Sequence, residues 1–451
     1  MKIVVIGNGK VGYKLTSQLS EENYDVTLID KDSENLKVAN NALDILSICG
    51  NGADMEVQKQ AGVPDADMVI ACTPYDELNM LACLIAKRLG AKHTIARVRN
   101  PVYYEQIHEL RADLRLSMSI NPEHAAANEI ARVLLLPQAD RVETFMKDRV
   151  ELVEFQIRKG SPLADKSLIE NYRNLQKPVL VCVVKRGEEI YIPNGSFVLH
   201  EGDRVHMVAT HKDLQSYFKS AGLDSHIKNV LICGGGVVCY YLAKQLLDHG
   251  LQVKIVEEKL SRCEELCDLF PKATVINGDI SDQQLLEEEG LTNADAVVTL
   301  TGLDEANLVM AMYAQSRGVK KVVAKVNDDG RANMARGLGI DSLVSVKGIT
   351  ADHILQYVRA TNNSLGEDKI ETCYKLLDGK VEAVEFKISK TSAYLGKPLK
   401  DLKVKANHLV ACVGRGKEII IPNGRTTFEV DDSVVIVTKD RSLKEFKDIF
   451  A

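Results

Sequence analysis

Apolar and polar positions along this chain follow two alternating rhythms. Short β-branched runs, KIVVI, DVTLI, DILSI, DMVIA and TIARV, are separated by helical spacing at 11–20, 33–40, 54–61 and 77–89. Strands that are apolar throughout, alternating with helices, predict parallel βαβ units with helices on both faces of the sheet. The fold class read from this is α/β, with a doubly wound parallel sheet. The same plan then returns. AGVPDADMVIACTPYDELNM, from Ala61, recurs as EGLTNADAVVTLTGLDEANL, from Glu289, with Asp67, Thr73, Asp76, Glu77 and Asn79 matched at a constant offset of 228. VELVEFQI from Val150 recurs as VEAVEFKI from Val381, and Ile-Pro-Asn-Gly at 192–195 recurs at 421–424. A duplication of this length sets the architecture before any motif does.

The reading therefore has six parts. A first large lobe (1–120) leads through a connecting helix and hinge (121–149) to a small lobe (150–221). A second large lobe (227–345), a second connecting helix and hinge (346–380) and a second small lobe (381–451) follow. Pro137 is expected to end the first connecting helix. The small lobes carry strand-like runs such as VLVCVV and RVHMVA with turn signals at Pro193-Asn194-Gly195 and Gly202-Asp203, and are read as compact α+β units.

Composition narrows the function classes. The longest run free of Asp, Glu, Lys, Arg and His is Asn229–Ala243, 15 residues interrupted by three glycines. That is short of the ~18–20 apolar residues a spanning helix needs. The N-terminal run Ile3–Gly7 reads as a buried strand rather than a signal peptide, which makes the cytoplasm the expected address. Ten cysteines without a Cys-x-x-Cys read as reduced core thiols. A net charge of −6 with no basic block argues against nucleic acid, and no basic amphipathic patch points to direct lipid insertion.

Strand KIVVI runs into Gly7-Asn8-Gly9-Lys10-Val11-Gly12 and then a helix, the context the Rossmann dinucleotide fingerprint requires. Gly7 permits the turn, Gly9 lets a pyrophosphate approach, and Gly12 allows close helix–strand packing. Asp30 ends the second strand, where a carboxylate accepts ribose hydroxyls and so favours NAD(H) over its 2′-phosphorylated form. Thr73 and Arg97 fall at the carboxyl ends of the fourth and fifth strands, where open α/β sheets take ligands. Thr73 is read as a ligand contact and Arg97 as a phosphate or interface cation. Asp76, Glu77 and Asn79 are read as caps and first-turn acids. The second copy has Gly234, Gly235, Gly236, Val237 and Val238, with Glu257 as its acid. Cys239 replaces Gly12, which should loosen the helix–strand approach, Val237 replaces Lys10, and Lys325 replaces Arg97. A weaker, a different and a vacant second site all stay open. No zincin, nucleophile-elbow or Walker motif is present, and histidines such as His93, His108 and His124 have no ligand spacing and are read as surface residues.

GNGKVG, LID, CGNGA, the Thr-x-x-Asp-Glu-x-Asn run, IARVRN, GSPLADKSL and IPNG…GDRV, in this order, resemble the RCK (KTN) regulators of potassium transport, and the resemblance covers both halves. The resemblance implies two tandem Rossmann-like RCK_N lobes, each followed by an RCK_C lobe, and a tetrameric ring. It implies a peripheral position beneath a separate TrkH- or TrkG-type membrane subunit, with NAD(H) or ATP/ADP as ligand. It places nucleotide contacts on Gly7 through Val11, Asp30, Thr73 with Pro74, and Arg97. Pro74 stands where polar residues are usual in that family. The expectation is a nucleotide-sensing regulatory subunit, not an enzyme. The alternative is an NAD-dependent dehydrogenase, disfavoured because the only Tyr-x-x-x-Lys, Tyr240 to Lys244, falls on a helix directly after a glycine loop.

Overall fold

The computed structural model describes residues 1–450 except 174–178, 224–225, 341, 363–368, 378, 389–393, 441–442 and 444. Parts of the second connector and of the second small lobe thus lie outside the described residues, as does the side chain of His108. The chain divides into two compact units. One comprises 1–130 and 229–358, the other 131–228 and 359–451.

The first unit holds both large lobes. The first is built from β1 (Lys2–Ile6), α1 (Lys10–Glu21), β2 (Asp25–Asp30), α2 (Ser33–Ala42), β3 (Leu46–Cys49), α3 (Met55–Gln60), β4 (Met68–Ala71), α4 (Asp76–Leu89), β5 (His93–Arg97), α5 (Pro101–Leu110) and β6 (Met118–Ile120). Its parallel sheet has the order β3-β2-β1-β4-β5-β6, so the strand order reverses between β1 and β4. The helix α6 (Pro122–Leu135) follows and stops two residues before Pro137. The strands form because Ile, Val and Leu suit a surface buried on both faces. β1 is buried from Ile3 through Ile6 and β4 along its whole length.

In the second unit the first small lobe has β7 (Arg141–Phe145), β8 (Val150–Gln156), β9 (Lys166–Ser167), α7 (Leu168–Tyr172), β10 (Leu180–Arg186), β11 (Glu189–Tyr191), β12 (Val198–Leu199), β13 (Arg204–Ala209) and α8 (His211–Ser220). β11-β10-β13-β8-β7 form an antiparallel sheet. β7 lies in the stretch expected to be a connector. Its turn to β8 runs through Met146, Lys147 and Asp148 at φ of 54°, 56° and 65°. None of these is a glycine, so no turn signal marks the hairpin.

The second large lobe repeats the first. It runs β14 (Asn229–Cys233), α9 (Val237–Asp248), β15 (Gln252–Glu257), α10 (Leu260–Leu269), β16 (Thr274–Asn277), α11 (Gln283–Glu288), β17 (Ala296–Thr299), α12 (Asp304–Ser316), β18 (Lys321–Lys325), α13 (Asp329–Gly337), β19 (Ser342–Val344) and then α14 (Val346–Asn362). Its sheet order, β16-β15-β14-β17-β18-β19, is that of the first. The second small lobe contains β20 (Lys369–Leu376), β21 (Val381–Lys387), β22 (His408–Arg415), β23 (Glu418–Ile420) and β24 (Ser433–Thr438), an antiparallel sheet in the order β20-β21-β24-β22-β23.

Within the first unit the connecting helices are exchanged. Ala351, Ile354, Leu355 and Val358 of α14 belong to the core of the first lobe, with Leu15, Leu28 and Ile70. In return α6 meets α9. Asn121, just before α6, donates from Nδ2 to the Tyr241 hydroxyl (2.9 Å), and Gln245 donates to Asn128 Oδ1 (2.6 Å). His124, read as a surface residue, packs between the rings of Tyr104 and Tyr241 at centroid distances of 5.2 and 5.0 Å. The sequence reading missed this because its neighbours come from two other helices. Ile354 is fully buried. We expect Ile354→Ala to cost about 2–5 kcal/mol in urea unfolding, with lost hydrogen-exchange protection reported by β1 and β2 of the first lobe, far along the chain from the substitution.

Candidate functional site

At the carboxyl edge of the first sheet, Gly7 leaves β1 at φ +101°. A Cβ there would stand 3.0 Å from the Thr73 amide nitrogen, and one on Gly12 would stand 1.9 Å from the Gly7 carbonyl oxygen. Both glycines are thus demanded by packing inside the loop. Gly9 has open space where its Cβ would be, so its freedom serves an approach from outside. α1 begins at this point with no side-chain cap and no acid in its first turn, which leaves its first N–H groups free to meet an anion.

The acid at the end of β2 closes the loop. Asp30 accepts hydrogen bonds from the backbone N–H of Asn8 and from that of Asp32 (2.8 Å). Asn8 is 7% exposed, and its Oδ1 is buried without a hydrogen bond. A cavity of about 210 Å³ opens beside this carboxylate, lined by Gly7, Gly9, Asp30, Thr73 and Pro74 from the sequence reading. Lys31, Asp32, Asn35, Gly50, Asn51, Gly52 and Tyr75 also line it, and no role was read for them. Gly52 carried the missed signal, because a Cβ there would meet Ile6 Cγ2 at 2.1 Å and only glycine lets the chain pass. Lys31 places its amine 5.7 Å from the centre of the Tyr75 ring at this rim. Asn8, Lys10, Val11 and Gly12 are outside this lining, the last two buried in the start of α1.

Asp76 stands in the first turn of α4 as read, but neither it nor Asn79 caps the helix. The N-cap of α4 is Tyr75, with no side-chain cap bond. Asp76 Oδ2 instead accepts the backbone N–H of Arg99 (2.8 Å) and Asn100 (2.7 Å), beyond the end of β5. Asn79 is fully buried. Its Oδ1 accepts from the Thr73 amide (2.9 Å) and hydroxyl (2.7 Å), while Nδ2 donates to the Thr73 carbonyl (3.0 Å) and the Arg97 carbonyl (2.9 Å). The Thr-x-x-Asp-Glu-x-Asn run therefore staples the ends of β4 and β5 together. Glu77 does sit in the first turn, where it accepts from the Tyr103 hydroxyl (2.9 Å).

Arg97 lies behind Thr73 and outside the cavity lining. Its Nη1 donates to the Thr73 carbonyl (3.3 Å), its Nη2 is 3.9 Å from Glu123 at the start of α6, and its Nε is buried without a hydrogen bond. Burial pushes the guanidinium below its ordinary pKa, and the Glu123 charge opposes this.

The second loop keeps the frame and changes the contents. Gly234 takes φ +109°, and Glu257 accepts from the N–H of Gly235 (2.7 Å) and Lys259 (3.0 Å), as Asp30 does in the first lobe. Arg262 donates from Nε to the Gly235 carbonyl (2.8 Å), and Leu266 crowds the Gly235 α-carbon. Gly236 has open space like Gly9, while Val237 and Val238 begin α9. Cys239 is fully buried, and burial pushes its thiol up to about 12. The expected loosening is slight: the helix-entry bond is 3.1 Å from Tyr240 N to Gly236 O against 2.9 Å from Tyr13 N to Gly9 O, and both loops keep a 2.8 Å bond to the neighbouring strand. Lys325 donates to the Leu300 carbonyl (3.1 Å); burial holds its amine below the usual range, against the charges of Asp304 and Glu123. Asn307 and Asp304 repeat the staple, with Nδ2 of Asn307 2.9 Å from the Lys325 carbonyl and Asp304 accepting the N–H of Asn327 (2.9 Å) and Asp328 (3.0 Å). Lys244 pairs with Glu105 at 3.1 Å, and the Tyr240 ring packs on Tyr241 and Phe270, so this Tyr-x-x-x-Lys is accounted for by packing. Among the described residues no group of three His, Cys, Asp or Glu could hold a metal.

With this geometry in hand, comparison with known proteins gives the family. The TrkA-N domain model matches 3–118 and 230–346, and the TrkA-C domain model matches 152–222 and 383–451. The chain belongs to the TrkA family. Along its whole length it is 35% identical to Trk system potassium uptake protein TrkA homolog 1 of Methanosarcina mazei, again over that protein's full length. It is 32% identical to the TrkA homolog of Archaeoglobus fulgidus, with both chains fully covered, and 31% identical to TrkA of Halomonas elongata, with 98% of that chain covered. The fold is similar to the GsuK channel bound to NAD (TM-score 0.65, 16% identity, 99% of this chain and 78% of that one) and to the GsuK RCK domain (TM-score 0.64, 16% identity, 97% and 92%). Membership of the TrkA family sets the chain among potassium-uptake proteins and apart from the dehydrogenases that share its Rossmann-like lobe.

Asn79 serves four hydrogen bonds from one buried side chain. Replacing it by alanine should cost about 1–3 kcal/mol for each buried group left unpaired, and Asn307→Ala should do the same in the second lobe, both measured as a fall in thermal midpoint.

Proposed function

We propose that this chain is the nucleotide-sensing regulatory subunit of a Trk-type potassium-uptake system, acting on a pore carried by a separate membrane chain of TrkH or TrkG type. The observation that carries the reading is the cavity at the strand-order reversal of the first lobe, walled by Asp30 and facing the uncapped start of α1. NAD(H) is the ligand proposed for it, with ATP and ADP as further candidates. Gly7 through Gly12 would carry the phosphates. Asp30 would exchange its backbone contacts for ribose hydroxyls, Thr73 and Pro74 would wall the opposite side, and Arg97 would act from behind through the Thr73 carbonyl. Related folds bound to NAD and to ADP support nucleotide as the ligand class.

In the second lobe the same positions, Gly234 through Val238 with Glu257, would form a weaker site, because Arg262 already occupies the Gly235 carbonyl. The two mouths also differ in charge. Lys347, at the start of α14, feels the charges of Lys10 and Lys14 at the first loop, whereas Glu123, at the start of α6, acts on Lys325 and Tyr241 beside the second.

Ring assembly as a homo-tetramer is supported by a repeated exposed face. Leu81 and Leu84 on α4, and Val309 and Met312 on α12, are exposed apolar residues at equivalent positions of the two halves. No helix among the described residues is long and apolar enough to cross a membrane, so in this reading ion movement takes place in the partner and the chain sits on the cytoplasmic face against it. Ligand controls such an assembly through unequal affinity for its two states, and ~1.4 kcal/mol changes their ratio tenfold.

Asp30→Ala should weaken NADH binding roughly ten- to a hundredfold in calorimetry, the loss of about 1.5–3 kcal/mol from a charge-assisted hydrogen bond. Potassium flux into liposomes bearing the membrane subunit should depend on this chain and on NADH, NAD, ATP or ADP. Flux indifferent to both, with nucleotide binding intact, would overturn the regulatory reading.

A further inference from the structure

The second small lobe buries a carboxylate that nucleotide sensing does not use. Glu385 on β21 is 1% exposed. Its counterpart in the first small lobe is Glu154 on β8, which has two arginines and a histidine around it. Arg204 Nη1 is 3.0 Å away, His206 Nε2 is 3.5 Å away, and Arg141 faces it from β7. Burial pushes the Glu154 carboxyl up, but His206, Arg204 and Arg141 together hold it well below the carboxylate range. The strand registers show what became of these three positions in the second copy. Thr372 stands opposite Glu385 where Arg141 stands opposite Glu154. Val435 replaces His206, and Ser433 replaces Arg204. The acid was kept, and both arginines and the histidine were replaced by uncharged residues.

What faces Glu385 instead is a turn and a second acid. Its Oε2 accepts the Met146 backbone N–H at 3.1 Å, while Oε1 is buried without a hydrogen bond. β20 bulges between Ile370 and Thr372, so Glu371 and Thr372 together oppose the one residue Glu385. Met146 opens the β7–β8 turn whose three residues hold left-handed conformations that non-glycine residues adopt rarely. The turn sits on the second small lobe. Met146 Sδ lies where a side chain at Gly414 of β22 would be, and Arg149 donates to the Gly416 carbonyl as well as to that of Met146. From β22 the Cys412 thiol also faces Glu385; burial pushes that thiol far up.

We propose that Glu385 is a proton-operated catch joining the two small lobes: a proton on Glu385 keeps the β7–β8 turn seated, and its loss releases the turn. The physical reason is that a buried carboxylate facing no cation on its neighbouring strands among the described residues is costly when charged, and the nearby Glu371 charge adds to that cost. Burial pushes Glu385 up to about 7 and the Glu371 charge adds to this, while the Met146 N–H and the Thr372 hydroxyl work against it. When the turn lifts, water reaches Glu385 and its pKa returns toward ~4.3. The seated state therefore binds the proton more tightly. Its stability is full below the lower value and falls as pH rises through about 7.

The test is hydrogen–deuterium exchange of the full chain between pH 5.5 and 8.5, corrected for the intrinsic pH dependence and read on the segment 141–150. Protection there should fall as pH rises from 5.5 to about 7, approaching tenfold per pH unit for one proton, and level off above that. Glu385→Gln should stay protected with no step, and Glu371→Gln should move the step to lower pH. Wild-type protection that ignores pH, or a Glu385→Gln chain with the same step, would overturn the catch. If Glu385→Gln does not fold, the Glu371→Gln midpoint decides, and an unmoved midpoint overturns it equally.

Discussion

Four side chains of α14, Ala351, Ile354, Leu355 and Val358, are buried among the residues of a sheet that begins more than three hundred positions earlier in the chain. The first large lobe thereby completes its hydrophobic core with a helix made by the second half, and α6 makes the return contact on α9. Apolar burial is the main favourable term in folding, so these contacts bind the two nucleotide-type lobes into one cooperative body. The starts of α6 and α14 accordingly stand beside the first turns of α9 and α1 in the opposite halves.

The staple made by Asn79 and Asp76 has the same logic on a smaller scale. The carboxyl edge of a parallel sheet leaves backbone groups without strand partners, and a ligand site needs that edge to be open. Asn79 pairs the groups of Thr73 and Arg97 from below, and Asp76 pairs those of Arg99 and Asn100, so the edge is satisfied without being covered. Repetition of both devices by Asn307 and Asp304 shows that they support the lobe itself, since the second lobe keeps them while altering its loop.

Strand and helix order were legible in the sequence because buried parallel strands are apolar runs and the duplication supplies two readings of each. The glycine loop and Asp30 were legible because the motif has a fixed place between a strand and a helix. Asp76 stands in the first turn as read, but the bonds that it and Asn79 make across to Arg97, Arg99 and Asn100, roughly twenty residues farther on, were not legible, because spacing along one helix carries no information about a neighbouring strand end. β7 was missed for a related reason. Its turn residues hold left-handed conformations that their own preferences do not announce. The contents of the second loop were half visible, since Cys239 and Val237 are plain in the sequence, while the bond from Arg262 to Gly235 requires the third dimension.

Glu123 and Lys347 occupy matching positions at the starts of α6 and α14 and carry opposite charge. Two identical lobes related by a twofold axis would be bound to present the same residue at both mouths. Joining the lobes in one polypeptide removes that obligation, so one mouth can drift toward cations and the other toward acids while the shared core stays intact. Duplication followed by fusion thus lets the start of one connecting helix change its charge while the other keeps its own, a change that no substitution in a homodimer of single lobes can make on one side alone.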